Sequence, residues 1–581
     1  MTTTDPAPRT SVSLALCGSG GAGVMTAGNL LLEAAARAGW YGLMVRSSGP
    51  QIRGGEAAAL LRIATRPVDC LDDQFDALIA VDWQNVHRFA DEVPLGPASV
   101  IVGDPDQGAA PEVFVASGAR SVPLPLKQMA KAIPGSWPNM IALGAAAGML
   151  GIPLDTVRQV VEQSLKKAGD TLPATLAAID AGARAAASQS GAFALAPPAG
   201  RADRRWLVTG NQAAGFGAIR GGVRFVAAYP ITPATELLEY LAPALPQVGG
   251  VLVQAEDELA SINMIIGASY GGTPALTATA GPGLALMTEA LGLAVAAEVP
   301  IVVVDVMRGG PSTGIPAKSE QSDVSIALWG LHGDAPRLVL APNSIGDCAT
   351  TTEWAVHLAE ALQAPAIVLS DQFFGQARAV TERPAGLGAA PQRLTAPAHA
   401  ADYKRYALTD SGVSPMAIPG RAGTAYTADG LEHGERGIPS SGAGDHRAQL
   451  DKRQRKLAGH DYGARWADVE GTGPTAVVTF GSCTGAAREA LARARADRIE
   501  ARLVSLRLLA PARPALLAAA LAGVERVLVV EQNHGGQFLR YLRAEYDLPR
   551  VVRSCRQPGP LPVRAADIHR ALVALEQGRP A

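Results

Sequence analysis

A strand that breaks at a proline and restarts as a helix constrains this chain more than any other feature. The apolar run at 226–229 stops at Pro230 and resumes behind Thr232 and Pro233 as a helix. Such a strand, tight turn and helix start line ligand clefts in α/β folds. Further on, Gly250-Val-Leu-Val253 runs into Gln254-Ala-Glu-Asp-Glu-Leu-Ala260, a second strand leading into a helix headed by acids. Acids there favour the positive end of the helix, which accounts for Glu256 and Asp257. Glu258 is different, because it stands one residue before the apolar face formed by Leu259, Ile262, Ile265 and Ile266, in a helix otherwise rich in small residues. It is expected to be partly buried at a packed interface, a setting in which a carboxyl keeps its proton more readily.

The same alternation recurs along 581 residues, too many for one hydrophobic core, so two to four domains are expected. A strand at 11–16 enters Gly18-Ser-Gly-Gly-Ala-Gly23 and then a helix at 24–38. Gly18, Gly20 and Gly23 have the spacing that lets a backbone approach a phosphate at a helix N-terminus. The next strand, 41–45, ends in Arg46 rather than an acid, which disfavours the ribose of NAD and leaves room for a ligand with an extra phosphate. Ile52-Arg-Gly-Gly-Glu56 adds a second glycine turn beside Arg53, and further strands are expected at 77–81 and 99–102.

After an Ala/Pro/Gly linker at 197–200, a second α/β unit is expected from about 206 to 380, with strands at 223–228, 250–253, 275–278, 301–306, 338–340 and 366–369. Residues 383–450 lack periodicity and are expected to wrap over another surface. A third α/β unit starts at Thr475-Ala-Val-Val-Thr-Phe480, with a helix at 484–494 and strands at 501–505 and 527–530.

Thr279-Ala-Gly-Pro-Gly283 joins a strand to a helix and permits either a plain tight turn or the approach of an aromatic cofactor ring. Arg308 closes another strand, where ligands bind in an α/β sheet, and an arginine can hold a carboxylate bidentately. Lys318 follows in the same loop, as a solvated charge or a second carboxylate contact. Glu531-Gln-Asn-His-Gly-Gly-Gln537 could serve an interface or a ligand.

Composition narrows the partners. With 51 basic and 53 acidic residues and a net charge of -2, nothing points to nucleic acid or an acidic membrane surface. Five single cysteines, no Cys-x-x-Cys pair and no Gly-Asp-Gly with a following Asn give no pattern for a cluster, a zinc site or a diphosphate–magnesium motif in this chain. No signal-peptide core or membrane-length apolar run is found, so a cytoplasmic setting is expected.

Taken in order, Tyr229-Pro-Ile-Thr-Pro233, Glu256-Asp-Glu258, Thr279-Ala-Gly-Pro-Gly283, Arg308-Gly-Gly-Pro-Ser-Thr-Gly314, Glu320-Gln-Ser-Asp323, Ser411-Gly-Val-Ser-Pro415, Glu432-His-Gly-Glu435 and Asp451-Lys-Arg453 resemble the α subunits of 2-oxoacid:ferredoxin oxidoreductases with a fused N-terminal γ domain, the 2-oxoglutarate type above all. Ala234-Thr235 departs from the serines common after the signature proline. The resemblance implies three α/β domains: a γ domain over 1–195, a pyrimidine-binding domain over 205–382 and a transketolase C-terminal-like domain over 474–581, with 383–473 connecting them.

It also implies thiamine diphosphate divided between chains, with magnesium and a [4Fe-4S] cluster in a β subunit, an (αβ)2 heterotetramer, and ferredoxin or another carrier as acceptor. Glu258 would share a proton with the cofactor's pyrimidine N1′, beside Tyr229, Pro230, Ile231, Gly281, Pro282 and Gly283. Thr232 and Arg308 would hold the substrate's carboxylate and oxo groups, and Lys318 a distal carboxylate. Gly18, Gly20, Gly23, Arg46 and Arg53 would hold coenzyme A, a substrate. Pyruvate, branched-chain and aryl 2-oxoacids stay open beside 2-oxoglutarate, as do a nicotinamide-dependent dehydrogenase and a non-catalytic nucleotide-binding scaffold.

Overall fold

A computed structural model describes residues 8–49, 55–164, 171–187, 193–198, 202–389 and 392–579. The chain forms two compact units.

The first unit is built on an eight-stranded sheet. Its strands are β1 (Ser11–Ser19), β2 (Tyr41–Ser48), β3 (Glu56–Ala64), β4 (Ala77–Ala80), β5 (Val100–Gly103), β6 (Arg120–Pro123), β7 (Arg205–Thr209) and β14 (Arg378–Glu382), in the order β6-β5-β4-β1-β3-β2-β14-β7. The half from β1 to β6 is parallel, whereas β3, β2, β14 and β7 run antiparallel to their neighbours. Two stretches expected to open and close the second unit are therefore strands of this sheet. The expected helix at 24–38 is Val24–Arg37, and its Gly28 lies on the sheet where a Cβ would come 2.7 Å from Ala59 Cβ.

The second unit holds two sheets. One has seven strands: β8 (Phe225–Ala228), β9 (Val251–Gln254), β10 (Ala275–Thr279), β11 (Val302–Met307), β12 (Leu338–Leu340), β13 (Ala366–Asp371) and β18 (Leu508–Ala510), ordered β18-β12-β13-β11-β10-β8-β9 and parallel except for β18. The other is ordered β15-β17-β16-β19-β20, from β15 (Ala467–Glu470), β16 (Thr475–Phe480), β17 (Ala501–Leu506), β19 (Arg526–Glu531) and β20 (Val551–Arg556). The parallel strands β11, β13 and β16 are buried along their whole length, which is why they read as continuous apolar runs. Three sheets with helices between their strands give the α/β class expected, and each carboxyl end of β8 to β11 leads into one of the motifs picked out above.

Between Glu382 and Ala443 the described residues form no helix or named strand. Side-chain hydrogen bonds tie them to the helix Asp347–Leu362 and the residue after it. Arg393 bonds both Glu360 oxygens at 2.9 and 2.8 Å, and Gln363 Nε2 donates to the carbonyls of Leu394 and Ser414. The strongest anchor is Glu298, wholly buried, which receives Lys452 Nζ at 2.6 Å and Lys456 Nζ at 2.8 Å from the helix Ala443–Ala458.

Candidate functional site

Four loops converge at the carboxyl ends of β8 to β11. The turn after β8 carries Tyr229 to Pro233. Its Thr232 carbonyl accepts a hydrogen bond from Arg308 Nη1 at 2.5 Å, so the two residues expected to hold one substrate are brought together by direct contact. Among the described residues the Arg308 Nε has no acceptor, and Arg308 is only 6% exposed. Burial lowers the Arg308 pKa while Asp323 opposes the shift, leaving a guanidinium that gains from an anion.

Glu258 opens the helix Glu258–Tyr270 and is 7% exposed, as its place beside an apolar face suggested. Asp257 does the ordinary work of the acidic run, since its Oδ1 caps the helix by accepting from the Ala260 N–H at 2.7 Å. The Thr279–Gly283 turn then shows why its glycines are needed. A Cβ at Gly283 would lie 2.0 Å from Thr279 Oγ1 and 2.8 Å from Glu258 Oε1. One at Gly281 would lie 2.6 Å from Asp323 Oδ1. Each glycine makes room for one carboxyl.

From Arg308 the chain runs through a loop closed by the Gly309–Ile315 bridge, in which Gly314 has a φ of +56° and a Cβ would meet the Gly309 carbonyl at 1.7 Å. Lys318 donates its N–H to Ile315 and accepts from the Gly309 N–H at the base of this loop.

Residues 319–325 are laced to the loop after β19. Gln321 and Gln532 exchange backbone and side-chain hydrogen bonds, Asn533 Nδ2 donates to the Gln321 carbonyl, and Gln537 reaches Ser322 O and Ser325 N, both at 2.8 Å. The polar run 531–537 thus forms an interface. It also lines a cleft of about 750 Å³ with Gly281, Pro282, Arg308, Ser322 and Asp323, to which it contributes Asn533, His534 and Gln537. Tyr229, Glu258 and Lys318 are not among the residues lining that cleft, so Arg308, bonded to Thr232, is the link from it to the first turn.

Comparison with known proteins decides what this arrangement belongs to. Residues 216–452 match the family described as "Pyruvate flavodoxin/ferredoxin oxidoreductase, thiamine diP-bdg", and residues 13–185 match "Pyruvate ferredoxin/flavodoxin oxidoreductase". The chain is 30% identical to the α subunit of 2-oxoacid:ferredoxin oxidoreductase 2 of Aeropyrum pernix, over 92% of this chain and 93% of the relative. The chain belongs to the α subunits of the 2-oxoacid:ferredoxin oxidoreductases. It is also 34% identical to the 2-oxoglutarate synthase subunit KorA of Methanothermobacter marburgensis, over 63% of this chain and 96% of that protein. Among solved structures it resembles the 2-oxoglutarate:ferredoxin oxidoreductase of Magnetococcus marinus, at 36% identity and a TM-score of 0.90 over 97% of this chain and 99% of that one.

As a member of this family the chain is part of an oxidoreductase built from subunits, and its second unit carries the thiamine diphosphate-binding region. The first unit of this oxidoreductase chain has a second cleft, of about 720 Å³, at the Gly18–Gly23 loop. Gly21 and Gly23 have φ values of +103° and +77°, and a Cβ at Gly23 would come 2.2 Å from Asn139 Nδ2. No side chain caps the helix that starts there, so its first N–H groups are left without a side-chain acceptor among the described residues.

Among the described residues the cation lining this cleft is Lys127, with Asp82, Trp137, Asn139 and Thr175. Arg46, expected beside the glycines, lies on β2 and does not line it, and Arg53 lies outside the described residues. Sequence reading missed Lys127 because it comes from a helix far along the chain, with no local pattern tying it to the loop. It missed Asp305 and Asp323 as a pair for the same reason. Among the described residues no helix is long and apolar enough to cross a membrane.

Proposed function

We propose that this chain is the α subunit, with a γ region fused at 1–195, of a cytoplasmic 2-oxoglutarate:ferredoxin oxidoreductase. The enzyme converts 2-oxoglutarate and coenzyme A to succinyl-CoA and CO2, reversibly, and hands two electrons to ferredoxin. The observation carrying this reading is the likeness to the Magnetococcus marinus enzyme, whose structure is described "with 2-oxoglutarate, coenzyme A and succinyl-CoA bound". The pyrimidine-binding domain would occupy 205–382, the connecting segment 383–473 and the transketolase C-terminal-like domain 474–581. Magnesium and the [4Fe-4S] cluster belong in a β subunit, within an (αβ)2 assembly.

The residues present fit the cofactor. Gly283 leaves open the space against Glu258 and Thr279 that any Cβ would fill, so a planar ring can approach the carboxyl. When bound, thiamine diphosphate supplies the nucleophilic carbon and the electron sink for decarboxylation. Glu258 would hold a proton at the pyrimidine N1′, with Tyr229, Pro230, Ile231, Gly281 and Pro282 forming the surrounding wall. Arg308 would take the substrate's 1-carboxylate, its position fixed by the Thr232 carbonyl, and the Thr232 hydroxyl would face the oxo group. Lys318 is assigned the distal carboxylate.

A partner is supported by the surface around Glu258. Tyr229, Leu259, Met264 and Leu286 are 41%, 50%, 42% and 50% exposed, an apolar fringe suited to a second chain that completes the site. Coenzyme A's phosphates are assigned to the glycine loop of the first unit, near Lys127. Co-expression with the β subunit, followed by coenzyme A-dependent viologen reduction across several 2-oxoacids, tests the proposal. Activity with 2-oxoglutarate is the expected result, and activity with pyruvate but not 2-oxoglutarate would overturn the substrate assignment.

A further inference from the structure

Asp323 stands at the N-cap of the helix Val324–Trp329 and makes no capping bond. That task falls to Gln537, whose Oε1 accepts from the Ser325 N–H at 2.8 Å. The Asp323 carboxyl turns the other way, against Gly281, and lies beside the carboxyl of Asp305. Asp305 lies inside β11, opposite Thr279 on β10 and Leu369 on β13, and is wholly buried. Among the described residues no donor reaches either Asp305 oxygen or Asp323 Oδ2. Two carboxyls can bond to each other only if one carries a proton, and two like charges in such a place cannot both ionise.

The groups facing the pair are few. Arg308 comes from the end of β11, Ser322 Oγ reaches Asp323 Oδ1 at 3.3 Å, and Glu320 adds a negative charge from the same loop. His534 acts on Glu320 from the loop after β19. Asp371 at the end of β13 is engaged with the Phe374 N–H, and Glu258 lies at Gly283 on the far side of the turn. Arg308 is the cation that acts on Asp323.

We propose that Asp305 and Asp323 are a proton-sharing positioning pair that sets how strongly Arg308 attracts the substrate's carboxylate. This rests on the reading of Arg308 as that carboxylate's clamp. With one shared proton the pair carries a single negative charge, which Arg308 balances, and an arriving carboxylate meets a neutral floor. When the shared proton leaves, the pair carries two negative charges and the arriving anion is repelled. The effect falls on substrate affinity rather than on turnover.

Two measurements test this. In the assembled αβ enzyme, KM for the 2-oxoacid should rise about tenfold on the alkaline side, with no matching limb in kcat. Asp305→Asn, which fixes the charge at one by replacing the shared proton with an N–H, should abolish that rise. An unchanged alkaline rise in the variant would overturn the proposal. Separately, infrared spectroscopy of this chain at neutral pH should show a protonated carboxyl band that disappears in Asp305→Asn and persists in Asp323→Asn. Absence of the band in the wild-type chain would refute the shared proton. This readout needs neither substrate nor β subunit, so it stands even if the substrate assignment fails.

Discussion

Glu298, in the turn before β11, and Asp305, inside that strand, are both wholly buried, yet their neighbours shift their pKa values in opposite directions. Burial pushes each carboxyl toward its neutral form. At Glu298, Lys456, Lys452 and Arg405 overcome that push and hold the group well below the usual carboxylate range. At Asp305, burial is reinforced by Asp323, and the pKa rises well above its ordinary value. Depth alone therefore does not decide what a buried acid does in this molecule, because the neighbouring charges decide it. The carboxyl with the lowered pKa fastens the wrapping segment, and the one with the raised pKa lies beside Asp323, which lines the candidate site.

The sharpest way to break this contrast is to neutralise Glu298. Glu298→Gln leaves Lys452 and Lys456 buried without a counter-charge, and removing one partner of a buried ion pair costs roughly 3–5 kcal/mol. Chemical denaturation should show a loss of that order. Burial already lowers the Lys452 pKa to about 8. In the variant both lysines should release their protons more easily, so its stability should recover as pH rises past 8. A variant as stable as the wild type at pH 7 would mean the cluster does not fasten the segment.

Next in size is Gly283→Ala. Its Cβ would displace Glu258 Oε1 or Thr279 Oγ1, which lie 2.8 and 2.0 Å from the added atom. A displacement of about 1 Å at a reacting group costs on the order of 100-fold in rate. The αβ enzyme should lose activity by that factor while this chain's denaturation midpoint moves little. Gly283→Ala would thus separate a site defect from the folding defect expected at Glu298.

The protonated centre has its own signature against pH. Burial raises Asp323 to about 6, while Ser322, Asp305 and Arg308 pull the other way. Because the folded-state pKa is raised, the pair contributes stability that is complete below the ordinary carboxylate pKa of 3.8 and is lost as pH rises through 6. Glu298 behaves oppositely, since its contribution is complete above 4.5 and lost only in strong acid. Wild-type stability should therefore fall between pH 4 and 7 by an amount on the order of 1–3 kcal/mol, and Asp323→Asn, which removes the titrating group, should abolish that fall. Thermal unfolding across this range measures both.

The contrast also shows what the sequence made legible. Strands such as Thr475–Phe480 and Leu338–Leu340 were readable because a parallel strand buried on both faces is a continuous apolar run. Glu258 and Arg308 were readable because each follows such a run at the end where α/β sheets bind ligands. What escaped was set by pairing across distance. The ladder that places β7 and β14 in the first sheet joins residues far apart in the chain, and Arg205 and Glu382 show no local sign of it. Lys127 reaches the glycine loop only through the fold, and Glu298 finds its lysines 154 and 158 residues away. Asp323 is freed from capping its helix because Gln537, 212 residues on from Ser325, accepts the Ser325 N–H, an exchange no local pattern encodes.

The smallest expected effect closes the comparison from the other side. Lys404 and Glu435 also tie the connecting segment to itself, at 3.0 Å, but their side chains are 36% and 34% exposed. Water already solvates both charges, and fixing two flexible side chains offsets most of the attraction, so exposed pairs contribute at most about 1 kcal/mol. Glu435 Oε2 also accepts the Leu408 N–H at 3.0 Å, a bond that survives loss of the lysine. Lys404→Ala should therefore shift the denaturation midpoint only slightly, and raising the salt concentration should shrink the shift further. A loss as large as that of Glu298→Gln would break the comparison, because charge pairing along the segment would then matter regardless of burial.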